Sequence, residues 1–236
     1  MDIKAFKMDG LGNDFVIIDQ RIRNLNLSKD EIIKICDRDF IGCDQLILIK
    51  KNREINASLE FYNSDGSVSG ACGNGTRCIA DFLSKESNKK EITIKTSSGL
   101  LKSRILGNNL VETEIGIPKT TWEDIPLSKK LDTKDLKIEI KDKSNNKHIG
   151  GVAVNVGNPH IIFFVNDIES FDLNKIGPKI ENHELFPDKC NVTLAKVINK
   201  NLVKVRVWER GAGLTKACGT AACATAVAGN IKSLIN

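Results

Sequence analysis

The stretch Ala71-Cys72-Gly73-Asn74-Gly75-Thr76-Arg77-Cys78 is answered in the other half of the chain by Ala217-Cys218-Gly219-Thr220-Ala221-Ala222-Cys223. Each places a cysteine immediately before small residues and a run able to wind into a helix. Each thiol is therefore expected at a helix N-terminus, where unpaired N–H groups and the helix dipole favour a thiolate and an anion. Two such cysteines facing one another could take a proton from one side of a carbon and return one on the other.

Outward from these stretches the repeat continues. Gly12-Asn13 recurs as Gly157-Asn158 at an offset of 145, and Gln45 recurs as the amide Asn191 at 146. Asn63 corresponds to Glu209, and Cys72 to Cys218, again at 146. Leu59-Glu60-Phe61-Tyr62 matches Val205-Arg206-Val207-Trp208 in apolar phase. Repeats of this length point to a duplicated structural unit. The expected fold class is α+β, with two pseudo-symmetric domains, residues 1–118 and 119–236. Each is a curved, mostly antiparallel sheet wrapped around a central cysteine-capped helix. A pseudo-twofold axis would bring the two helix N-termini together at a cleft, a favoured place for a ligand. The plainer alternative is a duplicated structural domain whose cysteines are inert core residues. The repeated landmarks are polar turn residues, which argues for a site instead.

Between the landmarks the local patterns are short. Phe15-Val16-Ile17-Ile18 and Leu46-Ile47-Leu48-Ile49 read as buried strands. Ser28-Lys29-Asp30-Glu31 is a capping box opening a helix with Ile32, Ile33, Ile35 and Cys36 on one face. Further strands are expected at 58–62, 92–96, 100–106 and 110–117, then a linker at 118–124. The second half reads as strands at 136–141, 151–156, 161–165, 192–198 and 202–208. A helix between Ser170 and Asn182 should be interrupted or bent at Gly177-Pro178. The second cysteine helix should run almost to Asn236.

Composition excludes several classes. The 236 residues are 41% hydrophobic and 28% charged, ordinary for a globular protein with a sizeable core. The net charge of +5 is spread over lysines with acids between them, not interleaved with aromatics, so no nucleic-acid surface is expected. No apolar run is long enough to span a membrane, and Met1-Asp2-Ile3-Lys4 opens no signal peptide. Seven cysteines, an odd number, fit reduced thiols in the cytoplasm. A four-thiolate zinc site from Cys72, Cys78, Cys218 and Cys223 is disfavoured, because the gaps strain the usual spacing and the second cysteine of each pair falls on a helix. Cys78 and Cys223 are expected as core helix residues, and Cys36, Cys43 and Cys190 as buried or incidental thiols. No dinucleotide or phosphate loop occurs, and neither a metal nor a cofactor is expected.

The candidate acid and base are Cys72 and Cys218. The N–H groups of Gly73, Asn74, Gly219 and Thr220 would hold a carboxylate and stabilise the charge that develops when its α-proton leaves. Glu209 is either a cap or a carboxylate that tunes a thiol, and Arg210 suits a bidentate carboxylate pair. His160, taken alone, reads as a satisfied structural histidine before a site residue. His148 and His183 read as surface residues.

At these residues the chain resembles the diaminopimelate epimerases. The matching motifs are Gly10-Leu11-Gly12-Asn13-Asp14-Phe15, Asn63-Ser64-Asp65-Gly66-Ser67, Cys72 to Cys78, Gly157-Asn158-Pro159-His160, and Glu209-Arg210-Gly211-Ala212-Gly213 through Thr220. The resemblance implies a two-base epimerase that interconverts L,L- and meso-diaminopimelate, in lysine and peptidoglycan precursor synthesis, without pyridoxal phosphate or metal. It makes Cys72 and Cys218 the acid–base pair and has His160 and Glu209 adjust the thiols. It lines the substrate pocket with Asn13, Gln45, Asn63, Asn158, Asn191, Glu209 and Arg210. Two departures stand out. Ala221 occupies a position where glycine is common in the family. The first half continues 46 residues from Cys72 to Pro118, whereas 18 residues follow Cys218. The second domain is therefore expected to be shortened, leaving an open sheet edge for a partner chain, as in a homodimer, or the rest of the gene product to cover.

Overall fold

The structure is a computed structural model that describes residues 5–69, 72–97 and 99–236. Ala71 of the first cysteine stretch and the Met1–Lys4 start lie outside the described residues. The chain divides into two compact units, Met1–Ile115 and Gly116–Asn236.

The first unit opens with β1 (Ala5–Gly10) and β2 (Asn13–Asp19), then α1 (Lys29–Cys36), β3 (Gln45–Lys50), β4 (Ala57–Asn63) and the short β5 (Val68–Ser69). The cysteine helix α2 (Gly73–Ser87) follows, then β6 (Glu91–Thr96), β7 (Gly99–Gly107) and β8 (Leu110–Thr113). The sheet order is β1-β2-β3-β4-β6-β7-β8, with β5 paired to β4. Only β2–β3 and β4–β6 run parallel. The α2 helix packs against β1 and β2 at one end of this order and β6, β7 and β8 at the other, so the sheet curls around it.

Side-chain alternation explains the continuous apolar runs. Phe15, Ile17, Ile47, Ile49, Leu59 and Phe61 face the core shared with Ile79 and Leu83 of α2. Val16, Ile18, Leu46 and Leu48 face the other way, onto Ile32 and Cys36 of α1. A strand covered on both faces has no polar side to show. The α1 cap is the expected box, with Glu31 N–H donating to Ser28 Oγ and Ser28 N–H to Glu31. Gly75 sits where α2 meets the sheet; an added Cβ would lie 2.7 Å from Ile47 Cδ1.

In the second unit β9 (Ile138–Lys141) and β10 (Lys147–Gly150) form a hairpin. Then come β11 (Val152–Asn155), β12 (Pro159–Phe164), α3 (Leu173–Glu181), β13 (Asn191–Asn199), β14 (Leu202–Glu209), β15 (Gly213–Thr215) and α4 (Gly219–Ile231). The main sheet runs β11-β12-β13-β14-β15. Its pairing repeats that of β1 to β5 strand for strand, with no counterpart of β6, β7 and β8 after α4 among the described residues: β12–β13 is parallel like β2–β3, and the others are antiparallel. The register repeats too, Phe61 opposite Ser69 in one unit and Val207 opposite Thr215 in the other. The α3 face of the sheet buries Ile161, Phe163, Val192 and Leu194 against Leu173, Ile176 and Ile180. The α4 helix, rich in alanine, packs against β11, β12 and β13.

Several local expectations are corrected. Of the two readings of α3, interrupted or bent at Gly177-Pro178, the interruption is ruled out, since the helix runs through both residues. Glycine is required there because the Trp208 side chain occupies the space of a Cβ, 2.4 Å from its ideal position. The α4 helix ends at Ile231, short of the expected stop. Ser233 takes the left-handed conformation (φ 55°) and the chain turns back, setting Ile235 over Gly229. Cys223 is exposed, not a core residue, because it falls on the side of α4 away from Ala221, Ala224 and Ala228. His148 is half-buried on β10, with its ring edge against Phe163 and Phe171. The 118–124 stretch is tied to the second unit by the Lys119–Asn155 bridge and by Trp122, which packs on that unit's core. Strands β1 and β10 lacked a clear signal because alternation over so few residues is weak. Among the described residues no helix is long and apolar enough to cross a membrane.

Candidate functional site

Strand register brings the landmark amides to one end of the sheet in each unit. Asn13 and Gln45 begin the parallel neighbours β2 and β3, while Asn63 ends the antiparallel β4, directly opposite Gln45. In the second unit Asn158 precedes β12, Asn191 begins β13 opposite His160, and Glu209 ends β14. The turns before β2 and β12 need a left-handed residue, supplied by Gly12 (φ 82°) and Gly157 (φ 106°).

Cys72 and Cys218 are the N-cap residues of α2 and α4, with nearly the same backbone, φ −136° and ψ 112° against φ −137° and ψ 110°. Cys72 Sγ accepts from Gly75 N–H at 3.4 Å and donates to Asn13 Oδ1 at 3.6 Å. Helix geometry leaves the first N–H groups, those of Gly73 and Asn74 or of Gly219 and Thr220, pointing out of the helix end. The Asn74 side chain is buried and its Oδ1 accepts from Arg77.

Around Asn13 lies an ionic cluster. Asn13 Nδ2 donates to Asp44 Oδ2 at 2.8 Å. Arg38 donates to both oxygens of Asp14, at 2.6 and 2.8 Å, and to Asp44 Oδ1 at 2.6 Å. The Arg38 guanidinium holds the Asp14 carboxyl down at about 2, against the opposing effect of burial. A carboxylate depressed in the folded state stabilises the fold above its ordinary value of 3.8 and loses that contribution as pH falls toward 2. Asp14→Asn should therefore lower stability by about 1 kcal/mol at neutral pH, screened because Arg38 is largely exposed. The gap to the unmodified chain should stay constant above pH 4 and narrow below it, as read by urea denaturation across that range.

Gln45 Nε2 donates to Asn63 Oδ1 at 2.9 Å, and Asn63 Nδ2 to Ser67 Oγ at 3.0 Å. Gln45 Oε1 is buried with no hydrogen-bond partner.

The second unit is organised around buried polar groups. His160 is fully buried, with Nε2 2.8 Å from Asn158 Oδ1. Burial, aided by the Arg210 charge, pushes its pKa down to about 3, so the ring is neutral. With a carbonyl oxygen as its partner, Nε2 carries the proton, and the buried Nδ1 is an acceptor without a partner. At Cys218 the pull of the helix end toward a thiolate is opposed. Burial and the Glu209 carboxylate push it up to about 12, outweighing the Thr220 hydroxyl and the Ala221 N–H, so it rests as a thiol. Its Sγ lies 3.3 Å from Thr220 Oγ1, and Glu209 Oε1 accepts from Thr215 Oγ1 at 2.5 Å.

Asn191 turns inward. Its Nδ2 donates to Pro159 O at 2.9 Å and its Oδ1 accepts the Arg210 N–H at 3.0 Å, so its amide shapes the site through the backbone. The exposed Arg210 donates from Nη1 to Asp188 O at 2.8 Å.

Sequence reasoning missed Glu181, Arg38 and Asp44. Glu181 is buried and accepts from Trp208 Nε1 at 2.7 Å and from Gly211 N–H at 3.0 Å, holding the turn that carries Arg210. It sits in an ordinary helical stretch, and no local signal marks it. Asp44 stands beside Gln45 and could have been picked out as an acid next to a candidate amide.

The sequence model of the diaminopimelate epimerase family matches residues 5–121 and 152–236. The unmatched stretch contains the β9–β10 hairpin. The diaminopimelate epimerase of Pelagibacter ubique is 80% identical over 235 residues, covering 100% of this chain and 86% of that protein. The one from Acidiphilium cryptum is 45% identical over 222 residues, covering 94% of this chain and 78% of its own length. Among solved structures, a probable proline racemase from Agrobacterium radiobacter K84 has a TM-score of 0.69 at 11% identity, covering 100% of this chain and 79% of its own. That likeness is one of fold, and it bears out the α+β class. Matched by one family through both halves and at these identities, the chain belongs to the diaminopimelate epimerase family.

Proposed function

We propose that Cys72 and Cys218 are the acid and base with which this chain interconverts the L,L and meso forms of diaminopimelate. The observation that carries the proposal is the repeated N-cap: two cysteines 146 residues apart, with the same backbone, each opening a helix. The chain is an isomerase of diaminopimelate stereoisomers, and inversion at carbon requires a proton to leave one face and another to arrive on the opposite face.

The α-proton of an amino acid is weakly acidic because the carbanion is poorly stabilised. Backbone N–H groups of Gly73 and Asn74, and of Gly219 and Thr220, would hold the carboxylate and stabilise its developing charge. A sulfur held at a helix start needs little reorganisation to take or give a proton. Cys218, resting as a thiol, would donate in the direction in which Cys72 abstracts, with the roles exchanged in reverse. Glu209 and neutral His160 would adjust the thiols, His160 by hydrogen bonding. Arg210 would pair with a carboxylate at the end that does not react, and the unpaired Gln45 Oε1 suits an ammonium. Asn13, Asn63 and Asn158 would contribute amides, and Asn191 would act by fixing the Arg210 N–H.

This reading makes diaminopimelate the partner, with no nucleic acid involved, in lysine and peptidoglycan precursor synthesis in the reducing cytoplasm. A homodimer would cover exposed apolar side chains such as Leu100, Leu106 and Leu110 of β7 and β8. Alkylation tests the thiol roles. Iodoacetamide should inactivate the protein in step with modification of Cys72 or Cys218, located by peptide mass mapping, and diaminopimelate should slow it. Inactivation that tracked the exposed Cys223, or that substrate did not slow, would count against the proposal.

A further inference from the structure

We propose that Asp44 is a positioning residue: it fixes the amide of Asn13 so that the carbonyl oxygen, and not the amino group, faces the sulfur of Cys72. The inference rests on the reading of Cys72 as an acid–base group.

An asparagine amide has an accepting end and a donating end of almost the same shape. Whichever end meets a sulfur sets the form that sulfur prefers. A carbonyl oxygen accepts from S–H and repels a thiolate, whereas an NH2 group donates to a thiolate. An isolated asparagine could turn either way. Here the choice is made chemically, because a carboxylate only accepts. Asp44 Oδ2 lies 2.8 Å from Asn13 Nδ2, so the amino end is committed and Oδ1 is left 3.6 Å from Cys72 Sγ.

Asp44 is itself held on three sides. Its Oδ2 also accepts the Asp14 N–H at 3.1 Å, its Oδ1 accepts from Arg38 Nη2 at 2.6 Å, and its own N–H donates to Asp14 Oδ1 at 3.0 Å. Asp14 bonds the same guanidinium twice and lies 3.5 Å from Lys7 Nζ. Two carboxylates thus bracket one arginine, and the Asp44 oxygen turned away from that arginine sets the amide.

The consequence falls on proton transfer. Once Cys72 has taken a proton, Asn13 Oδ1 is an acceptor for the new S–H; while the sulfur is a thiolate, the same oxygen makes it more basic. Both effects help abstraction from a weakly acidic carbon. Asp44 holds the amide that faces the sulfur, so its action runs through Asn13.

The test compares alkylation of Cys72 by iodoacetamide at pH 7, read by peptide mass mapping, with kcat and KM. With Asp44→Asn the amide can turn its amino end to the sulfur. Cys72 should then alkylate about tenfold faster while kcat falls about tenfold and KM changes little. Loss of a negative charge near the thiol would also speed alkylation, so the comparison is repeated on Asn13→Ala. If Asp44 acts through Asn13, the double variant alkylates no faster than Asn13→Ala alone. Should Asp44→Asn fail to melt cooperatively, Asp44→Ser leaves the Asp14–Arg38 pair in place and should change the rate in the same direction. An unchanged rate in the folded variant, or an acceleration that persists without Asn13, overturns the inference. Deuterium exchange by the unmodified chain, run alongside, judges the epimerase reading separately: its absence would sink that reading while the alkylation comparison still decides the role of Asp44.

Discussion

Cys218→Ala should leave a folded protein whose kcat for epimerisation has fallen at least about a thousandfold, and Cys72→Ala should do the same. Neither change should cost much stability. Both residues have extended N-cap backbones that alanine adopts without strain, and the cysteine side chain is small. The loss in rate is large because inversion needs both a base and an acid, and neither His160 nor Glu209 is placed to take over. His160 is neutral and fully buried, and the Glu209 carboxylate is engaged by Thr215. Groups that act as a unit are not additive, so the double variant should be little worse than either single one. Steady-state kinetics with a thermal melt on each variant measures both halves of the expectation. Full activity in either folded single variant would remove the two-cysteine mechanism.

Glu181→Ala should destabilise the fold by about 3 kcal/mol and raise KM more than it lowers kcat. The carboxylate is buried and accepts two N–H groups from the same segment, Trp208 Nε1 and Gly211 N–H. Alanine strands both donors in the interior, and an unpaired buried donor costs the full penalty of its desolvation. The partial ion pair to Lys189, at 3.9 Å with an exposed ammonium, adds little. The KM effect follows from the chain. Gly211 is one residue beyond Arg210, so loosening its N–H frees the turn that presents the guanidinium. Glu181→Gln keeps one acceptor and should fall between the two. Urea denaturation with an unchanged slope, together with substrate saturation curves, separates the stability effect from the binding effect. A destabilised variant with normal KM would show that Glu181 supports the fold without positioning Arg210.

The repeat of polar landmarks was the most informative feature of the sequence. Gly12-Asn13 with Gly157-Asn158, and Cys72 with Cys218, carry the requirements of a turn and of a helix start. Such requirements are local, so residue type and spacing reveal them. The buried runs of β2 and β3 were equally legible, since both faces are covered and apolar residues need not alternate. Contacts between distant segments were not. Nothing near Gly177 announces that Trp208 lies against it, and nothing near Glu181 announces the two N–H groups that it accepts. The state of Cys218 was legible only in part, for a related reason. The helix end is visible in the sequence and favours a thiolate, whereas burial and the approach of Glu209, which favour the thiol, belong to the fold. Asn191 was placed by its offset, yet only the structure shows its amide turned to the backbone at both ends.

The most direct measurement is the fate of the α-proton. The purified chain is incubated with L,L-diaminopimelate in D2O, and substrate and product are followed from the first turnovers by proton NMR and mass spectrometry. With two cysteines sharing the work, every meso molecule carries one solvent deuterium at the inverted carbon. Early in the reaction the remaining L,L substrate carries almost none. Meso product that kept the original proton would mean that one group removes and returns it, contradicting the paired roles of Cys72 and Cys218.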